Sequence, residues 1–283
     1  MRLYKYFHPD RVDVLERTQL RFSPPHAFND PFDLKPNIQG FSPREYWNAE
    51  FRDALPEIVQ EQYAELPEKI RALVSVEMVQ ALASAKALAM EQEGFELAQF
   101  IAPYLRSVME TKFEELVGIF CLTEKPDNLL MWAHYADSHQ GFVVEFEGAD
   151  RFFNQRRSKD DEFCHVRKVK YSDKRPTLSL SEIESLDTFL TKSLDWEYEQ
   201  EWRMLMPLPM ANRVIKAMPI DIHLFKFPRR MVKAVILGSR ANESLKRRIT
   251  DILKTSKEYD HVHIRQAQID REEFKVNIAD IGS

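Results

Sequence analysis

The chain has 283 residues, enough for one large domain or two small ones at roughly 150 residues per domain. Hydrophobic residues make up 44% and charged residues 30%, a globular balance that excludes disordered and fibrous classes. The net charge is −5 and no apolar run approaches the ~20 residues that span a bilayer.

Met1 to Pro9 has no apolar core of a leader peptide, and Cys121 and Cys164 are too few for a disulfide framework or a four-thiolate zinc site. A reduced, cytoplasmic protein is expected. Leu3 to Phe7 has strand propensity. Pro9-Asp10 opens a short helical stretch with Val12 and Leu15 inward. Leu20 to Ser23 reads as a second short strand, ended by Pro24-Pro25, and Phe28-Asn29-Asp30-Pro31-Phe32-Asp33 as a turn-rich loop.

Residues 44–115 change character. Ile70, Leu73, Val74, Ala81, Leu82, Ala85 and Leu88 recur at helical spacing. Pro56, Pro67 and Pro103 divide the stretch into about four helices. It holds 7 Lys+Arg against 14 Asp+Glu, a charge of −7, which leaves the rest of the chain at +2. This predicts an acidic helical insertion, with 1–43 and 116–283 forming the body.

From Val117 the period becomes two. Val117 to Thr123 reads as a buried strand, Glu124 to Asn128 as a turn, and Leu129 to Ala136 as a short helix. Strands follow at Gly141 to Phe146 and Val166 to Tyr171, a helix at Ile183 to Ser193, and an alternating strand at Tyr198 to Leu205. A strand at Val232 to Leu237, an amphipathic helix at Ser244 to Thr255 and a strand at His261 to Ala267 complete the chain. The class is α+β with an antiparallel or mixed sheet.

Glycine is scarce, 7 in all, and none has the spacing of a dinucleotide fingerprint or a phosphate loop. H-E-x-x-H and G-x-S-x-G are absent too. Three segments carry candidate chemistry instead. In Phe28 to Asp33 the Asn and Asp form turns with their own backbone, or they present Asn29 and Asp30 to a ligand between phenylalanines. Met131-Trp132-Ala133-His134-Tyr135 crowds a histidine and two aromatics onto one helical turn; these pack in a core, or form an aromatic wall with a hydrogen-bonding His134. Glu199, Glu201 and Arg203 share one face of the expected strand, either a solvated edge or a polar cleft. Trp196, Tyr198 and Trp202 surround the acids, and burial there would raise a carboxyl pKa.

These blocks, with Tyr4-Lys5-Tyr6, Leu20-x-Phe22-Ser23, Gly141-Phe142 and Trp196-x-Tyr198-Glu199-x-Glu201-Trp202-Arg203, closely resemble the bacterial family catalogued as domain of unknown function 2971, over residues 3–238 without the insertion. The order of elements also resembles the ADP-ribosyltransferase fold, a split mixed or antiparallel β-sheet core. That resemblance implies NAD as substrate, held by Tyr4, Lys5 and Tyr6, by Thr123 with Trp132, His134 and Tyr135, by Asn29 and Asp30, and by Arg203. It implies that Glu201 is the catalytic glutamate of an E-x-E strand, with Glu199 and His134 beside it. Tyr-Lys-Tyr departs from the family's Arg or His, and the family's Ser-Thr-Ser is missing. The chemistry agrees with the residue types: a carboxylate stabilises an oxocarbenium-like ribosyl centre, aromatics hold nicotinamide, and no metal is needed.

Two other readings stand. Asp30, Asp33, Glu145, Glu199 and Glu201 are hard-oxygen ligands for Mg²⁺ in a nuclease or phosphodiesterase. Alternatively the chain is a non-catalytic module that senses a nucleotide or a partner, with the acidic helices as a protein-binding face. Nine Lys/Arg lie between Asp150 and Arg175, but five acids share the window, which favours a solvated surface. The acceptor is open (protein, nucleic acid or small molecule), as is the role (toxin, phage-defence effector or housekeeping enzyme).

Overall fold

The computed structural model describes residues 1–44, 57–61, 63–65, 68–71 and 75–281. The strands are β1 (Arg2–Phe7), β2 (Gln19–Phe22), β3 (Asn37–Ile38), β4 (Val117–Thr123) and β5 (Phe142–Glu147). Then come β6 (Val166–Lys168), β7 (Lys170–Ser172), β8 (Thr177–Leu178), β9 (Thr191–Ser193) and β10 (Glu201–Pro207). Last are β11 (Arg213–Ile215), β12 (Ile222–Lys226), β13 (Val232–Leu237), β14 (His263–Ile269) and β15 (Val276–Asp280). With helices at Asp13–Arg17, Val76–Leu116, Leu129–Tyr135 and Glu243–Thr255, the class is α+β. Among the described residues no helix is long and apolar enough to cross a membrane.

The chain divides into two compact units. The first holds Met1–Lys35, Lys112–Arg175 and Leu186–Ser283; the second holds Pro36–Thr111 and Pro176–Ser185. The second unit therefore begins at Pro36 rather than residue 44, and it also takes a segment that the sequence reading leaves in the body.

In the first unit eight strands form one mixed sheet in the order β15-β14-β13-β5-β1-β4-β10-β6. The β13–β14 pair is parallel. The helix Glu243–Thr255 makes that crossover, capped by Asn242, whose side chain accepts a bond from Leu245 N at 2.8 Å. Leu245, Ile249 and Leu253 recur at helical spacing and pack on one face of the sheet. Leu3, Phe120, Leu122, Val144, Phe146, Val235 and Leu237 line that face, and Val12, Leu15 and Phe22 join it from outside. On the other face Tyr6, Val143 and Ile236 pack with Met131 and Trp132 of the helix Leu129–Tyr135. Apolar residues thus occupy both faces of the central strands, which explains why β4 and β5 read as nearly unbroken apolar runs.

In the second unit β3 and β8 pair in parallel. Ser179 N donates to Glu182 Oε2 at 2.7 Å as one arm of a capping box, whose other arm runs from the Glu182 backbone to the Ser179 side chain, and Ser179 Oγ also donates to Oε2 at 2.8 Å. The helix Val76–Leu116 runs through Pro103, so this proline does not end a helix as its sequence position predicts. The carbonyl it frees belongs to Gln99, which is only half-buried, and water can take that bond. Pro56 and Pro67 lie outside the described residues.

Three further expectations change. Ile183 to Ser193 is not a helix: a 3-10 turn at Leu186–Leu190 buries Phe189 and Leu190 and passes into β9, which pairs with β7. Val166 to Tyr171 is two strands: β6 pairs with β10, with Val169 N donating to Glu201 O at 2.9 Å beyond its end, and β7 pairs with β9 instead. And the strand expected from Tyr198 begins only at Glu201.

Candidate functional site

Strand register makes the floor of the site. Tyr4, Thr123 and Glu201 lie directly across from one another on β1, β4 and β10, and Cys121 lies across from Arg203. Alternation puts these five side chains on one face of the sheet. Above them comes the helix Leu129–Tyr135, started by Asn128, whose Oδ1 accepts from Met131 N at 3.0 Å. The other Asn128 amide atom, Nδ2, donates to Tyr198 O at 3.1 Å and ties this helix to the 3-10 turn Leu194–Glu199. That turn ends at Gln200, which is left-handed with φ 45°, so the chain reverses between the two glutamates. Glu199 therefore comes from a turn and Glu201 from a strand, not both from one strand face. They still converge, because Thr123 Oγ1 donates to Glu199 O and fixes the turn against β4.

The result is a cavity of about 330 Å³. Tyr4, Tyr6, Phe28, Asn29, Thr123, Met131 and Tyr135 form its walls, and Cys121, Lys192, Glu199 and Glu201 its polar end.

Five ionisable side chains meet at that end, each at most 6% exposed: Asp33, Lys192, Glu199, Glu201 and Arg203. Arg203 grips Asp33 with Nη1 and Nη2 at 2.6 and 2.7 Å, and Glu201 with Nε and Nη2, both at 2.9 Å. These fork-to-carboxylate pairs fix both partners in geometry. Lys192 Nζ donates to Glu199 Oε2 at 2.7 Å and Glu201 Oε2 at 3.1 Å, and lies 4.7 Å from the Trp196 ring centroid. Tyr135 OH donates to Glu199 Oε1 at 2.6 Å. Three acids face two bases, so the fully ionised cluster carries one excess negative charge.

The acids respond oppositely. Burial works against an ionised Glu201, but Arg203 and Lys192 outweigh it and hold that carboxyl well below its usual range. Burial and the neighbouring Glu201 charge push Glu199 up, with Lys192 and Tyr135 pulling back less. Burial also opposes the Lys192 charge, yet the surrounding carboxylates keep its pKa above the ordinary value. Burial and Glu199 raise Tyr135, and burial raises the Cys121 thiol. Both stay protonated at neutral pH, so Tyr135 is a fixed donor and Cys121 is no thiolate nucleophile.

Of the residues singled out in the sequence, Tyr4, Lys5, Tyr6, Asn29, Thr123, Tyr135, Glu199 and Glu201 border the cavity. Lys5 borders it with its side chain turned away by alternation; its ammonium sits 5.4 Å from the Phe120 ring centroid on the opposite face. Arg203 lies beneath, fully buried. Three lie elsewhere. Trp132 is a core residue, edge-on to Tyr6 at 5.1 Å and donating Nε1 to Pro126 O at 2.8 Å. His134 points away and is exposed. Asp30 accepts from Phe32 N at 2.9 Å and shapes its own turn. Sequence reasoning missed Lys192, which fell within the helix expected at Ile183 to Ser193; its only signal is its place between buried Leu190 and the aromatic Trp196-x-Tyr198.

No curated protein and no solved structure matches the chain. The likeness that is found spans less than residues 3–238, yet it holds Tyr135, Lys192 and the whole Glu199–Arg203 segment: residues 131–204 match the family model described as Protein of unknown function (DUF2971).

Proposed function

We propose that the cavity is the active site of an enzyme that breaks an N-glycosidic bond of a nucleotide, with NAD as the candidate substrate, and passes the ribosyl carbon to an acceptor in the manner of ADP-ribosyltransferases. One observation carries this reading: adjacent carboxyls with pKa values displaced in opposite directions end a cavity walled by aromatic rings. Such a split is how a site keeps one acid ionised and another available for a proton. Tyr4, Phe28 and Tyr135 offer ring faces to a flat base. Once Glu199 gives up its proton, the cluster's excess negative charge suits a pyridinium ring and the oxocarbenium-like centre that forms as the base leaves. Glu201 is locked by Arg203, so Glu199 takes the role at the sugar and Glu201 sets the field around it.

The second reading, a Mg²⁺ site, has less support. Asp33, Glu199 and Glu201 already share Lys192 and Arg203. Glu145 is committed to Arg2 and Arg265 at 3.2 and 2.9 Å, and Asp30 to its own turn. Among the described residues no three acid, His or Cys side chains group as a metal requires.

The test is nicotinamide release from NAD by the wild-type chain, by Glu199→Gln and by Glu201→Gln, with melting temperature as folding control. Loss of a transition-state charge partner costs about 10²–10³ in rate. Glu199→Gln is expected to lose that much while staying folded. An inert wild-type chain, or a folded Glu199→Gln with full turnover, would overturn the proposal.

A further inference from the structure

The nine basic residues between Asp150 and Arg175 do not act together. Arg167 is taken by Glu162 and Asp187 at 2.7 and 2.8 Å, Lys168 by Glu124 at 3.1 Å, and Arg175 by Lys35 O at 2.6 Å. Arg151 and Arg156 have no carboxylate partner among the described residues. Arg151 opens the 3-10 turn Arg151–Phe153 after β5, Arg156 follows it, and both line a groove of about 640 Å³. Lys226 at the end of β12 and Arg230 just before β13 complete it.

The groove thus gathers four cations from two distant parts of the chain, with no acid in its lining. At its edge Asp150 pairs with Arg230 at 3.0 Å. In this the groove differs from the surroundings of Arg2, Arg11, Arg229, Arg248 and Arg265, each of which meets a carboxylate. It is also unlike the chain as a whole, at −5. The floor is Phe152 and Phe225, both buried, and an apolar floor under converging positive charge concentrates the field in the groove. Arg151, Arg156 and Lys226, without a carboxylate partner among the described residues, repel one another, and an anion removes that cost. Buried rings offer no stacking face, so the groove suits phosphate oxygens rather than bases.

Met206, near the far end of β10 from Glu201, lines the groove and belongs to the core on the sheet face opposite the cavity. The groove is therefore separate from the cluster at Glu199.

We infer that this groove binds a chain of phosphates, either a free oligophosphate or the backbone of a single-stranded nucleic acid, without reading sequence. The experiment uses the full chain with a fluorescent oligothymidylate and, in a second arm, inorganic tripolyphosphate as competitor, from 50 to 200 mM salt. The variant is Arg156→Gln with Lys226→Gln; both positions are exposed, and Arg230 is left to hold Asp150. Wild type is expected to bind with an affinity that falls steeply with salt. The double variant should bind at least about tenfold more weakly, with a log–log salt slope shallower by about 1.4, from ~0.7 per lost phosphate contact on a single strand. Tripolyphosphate that displaces the strand at equal phosphate concentration identifies an oligophosphate site; displacement only at large excess identifies a strand site. No binding at 50 mM salt, or an unchanged double variant with wild-type melting temperature, would overturn the inference.

Discussion

At Glu199 and Glu201 the same side chain, two positions apart, contributes to stability with opposite pH dependence. Glu201 is held down by Arg203 and Lys192. Its contribution is present above the unfolded carboxyl range near pH ~4 and is lost as pH falls from there through its depressed folded pKa. Glu199 is held up by burial and by Glu201. Its contribution is present when protonated, below that range, and is lost as pH rises through its folded pKa. Glu199→Gln therefore should lose less stability than wild type as pH rises from 5 to 8 in urea unfolding; parallel curves would show that Glu199 is ionised throughout. Arg203→Met leaves Asp33 and Glu201 buried without their main partner and is expected to cost about 3–5 kcal/mol, read as a fall in urea midpoint. The odd charge also links ligand to proton. A cationic ligand competes with the proton for Glu199, so its affinity rises with pH; calorimetry in buffers of different ionisation enthalpy measures the proton released on binding. The sequence showed these acids and Arg203 because their types are rare together beside aromatics. It did not show Lys192 or the Asp33–Arg203 fork, which joins residues 170 positions apart.

Among the elements, the short cap before the helix Leu129–Tyr135 has two functions. Asn128 Oδ1 starts the helix and Nδ2 holds Tyr198 O. Asn128→Ala loses both bonds and should cost about 1–3 kcal/mol. Asn128→Asp keeps the cap and loses only the tie, so urea unfolding should place it between wild type and Ala; equal losses would mean that the tie contributes nothing. The legibility of elements followed the same division. β1, β4, β5, β13 and the helix Glu243–Thr255 were readable because each carries its own apolar period. The turn Leu194–Glu199 was not, since Tyr198 to Leu205 alternates like a strand and only the left-handed Gln200 breaks it. A positive φ at a glutamine has no compositional signature of the kind glycine provides. β9 was missed, and the break between β6 and β7 with it, for a different reason: three-residue strands have too little sequence to show a period.

At the scale of the whole molecule, the sheet is assembled from distant pieces. β1 lies between β4 and β5, whose partner residues stand more than a hundred positions away, such as Tyr4 with Thr123 and Glu145. Removing Arg2–Phe7 takes out a central strand together with Leu3, Tyr6 and Phe7, all buried. The expected outcome is loss of cooperative unfolding by near-ultraviolet circular dichroism; a shortened chain that still melts sharply would mean that β4 and β5 close on each other. Pairings of this span also make folding slow relative to helical domains of similar stability. The placement of β1 has a consequence for biosynthesis. At about 5–20 residues per second, β4 and β5 emerge from the ribosome roughly 5–30 s after β1. For that interval Leu3, Tyr6 and Phe7 have no sheet to enter, and the nascent chain carries an unpaired apolar strand that chaperones can hold and other nascent chains can capture. The yield of folded protein in a cell is then governed by how well that strand is shielded while the helical segment between it and its partners is being made.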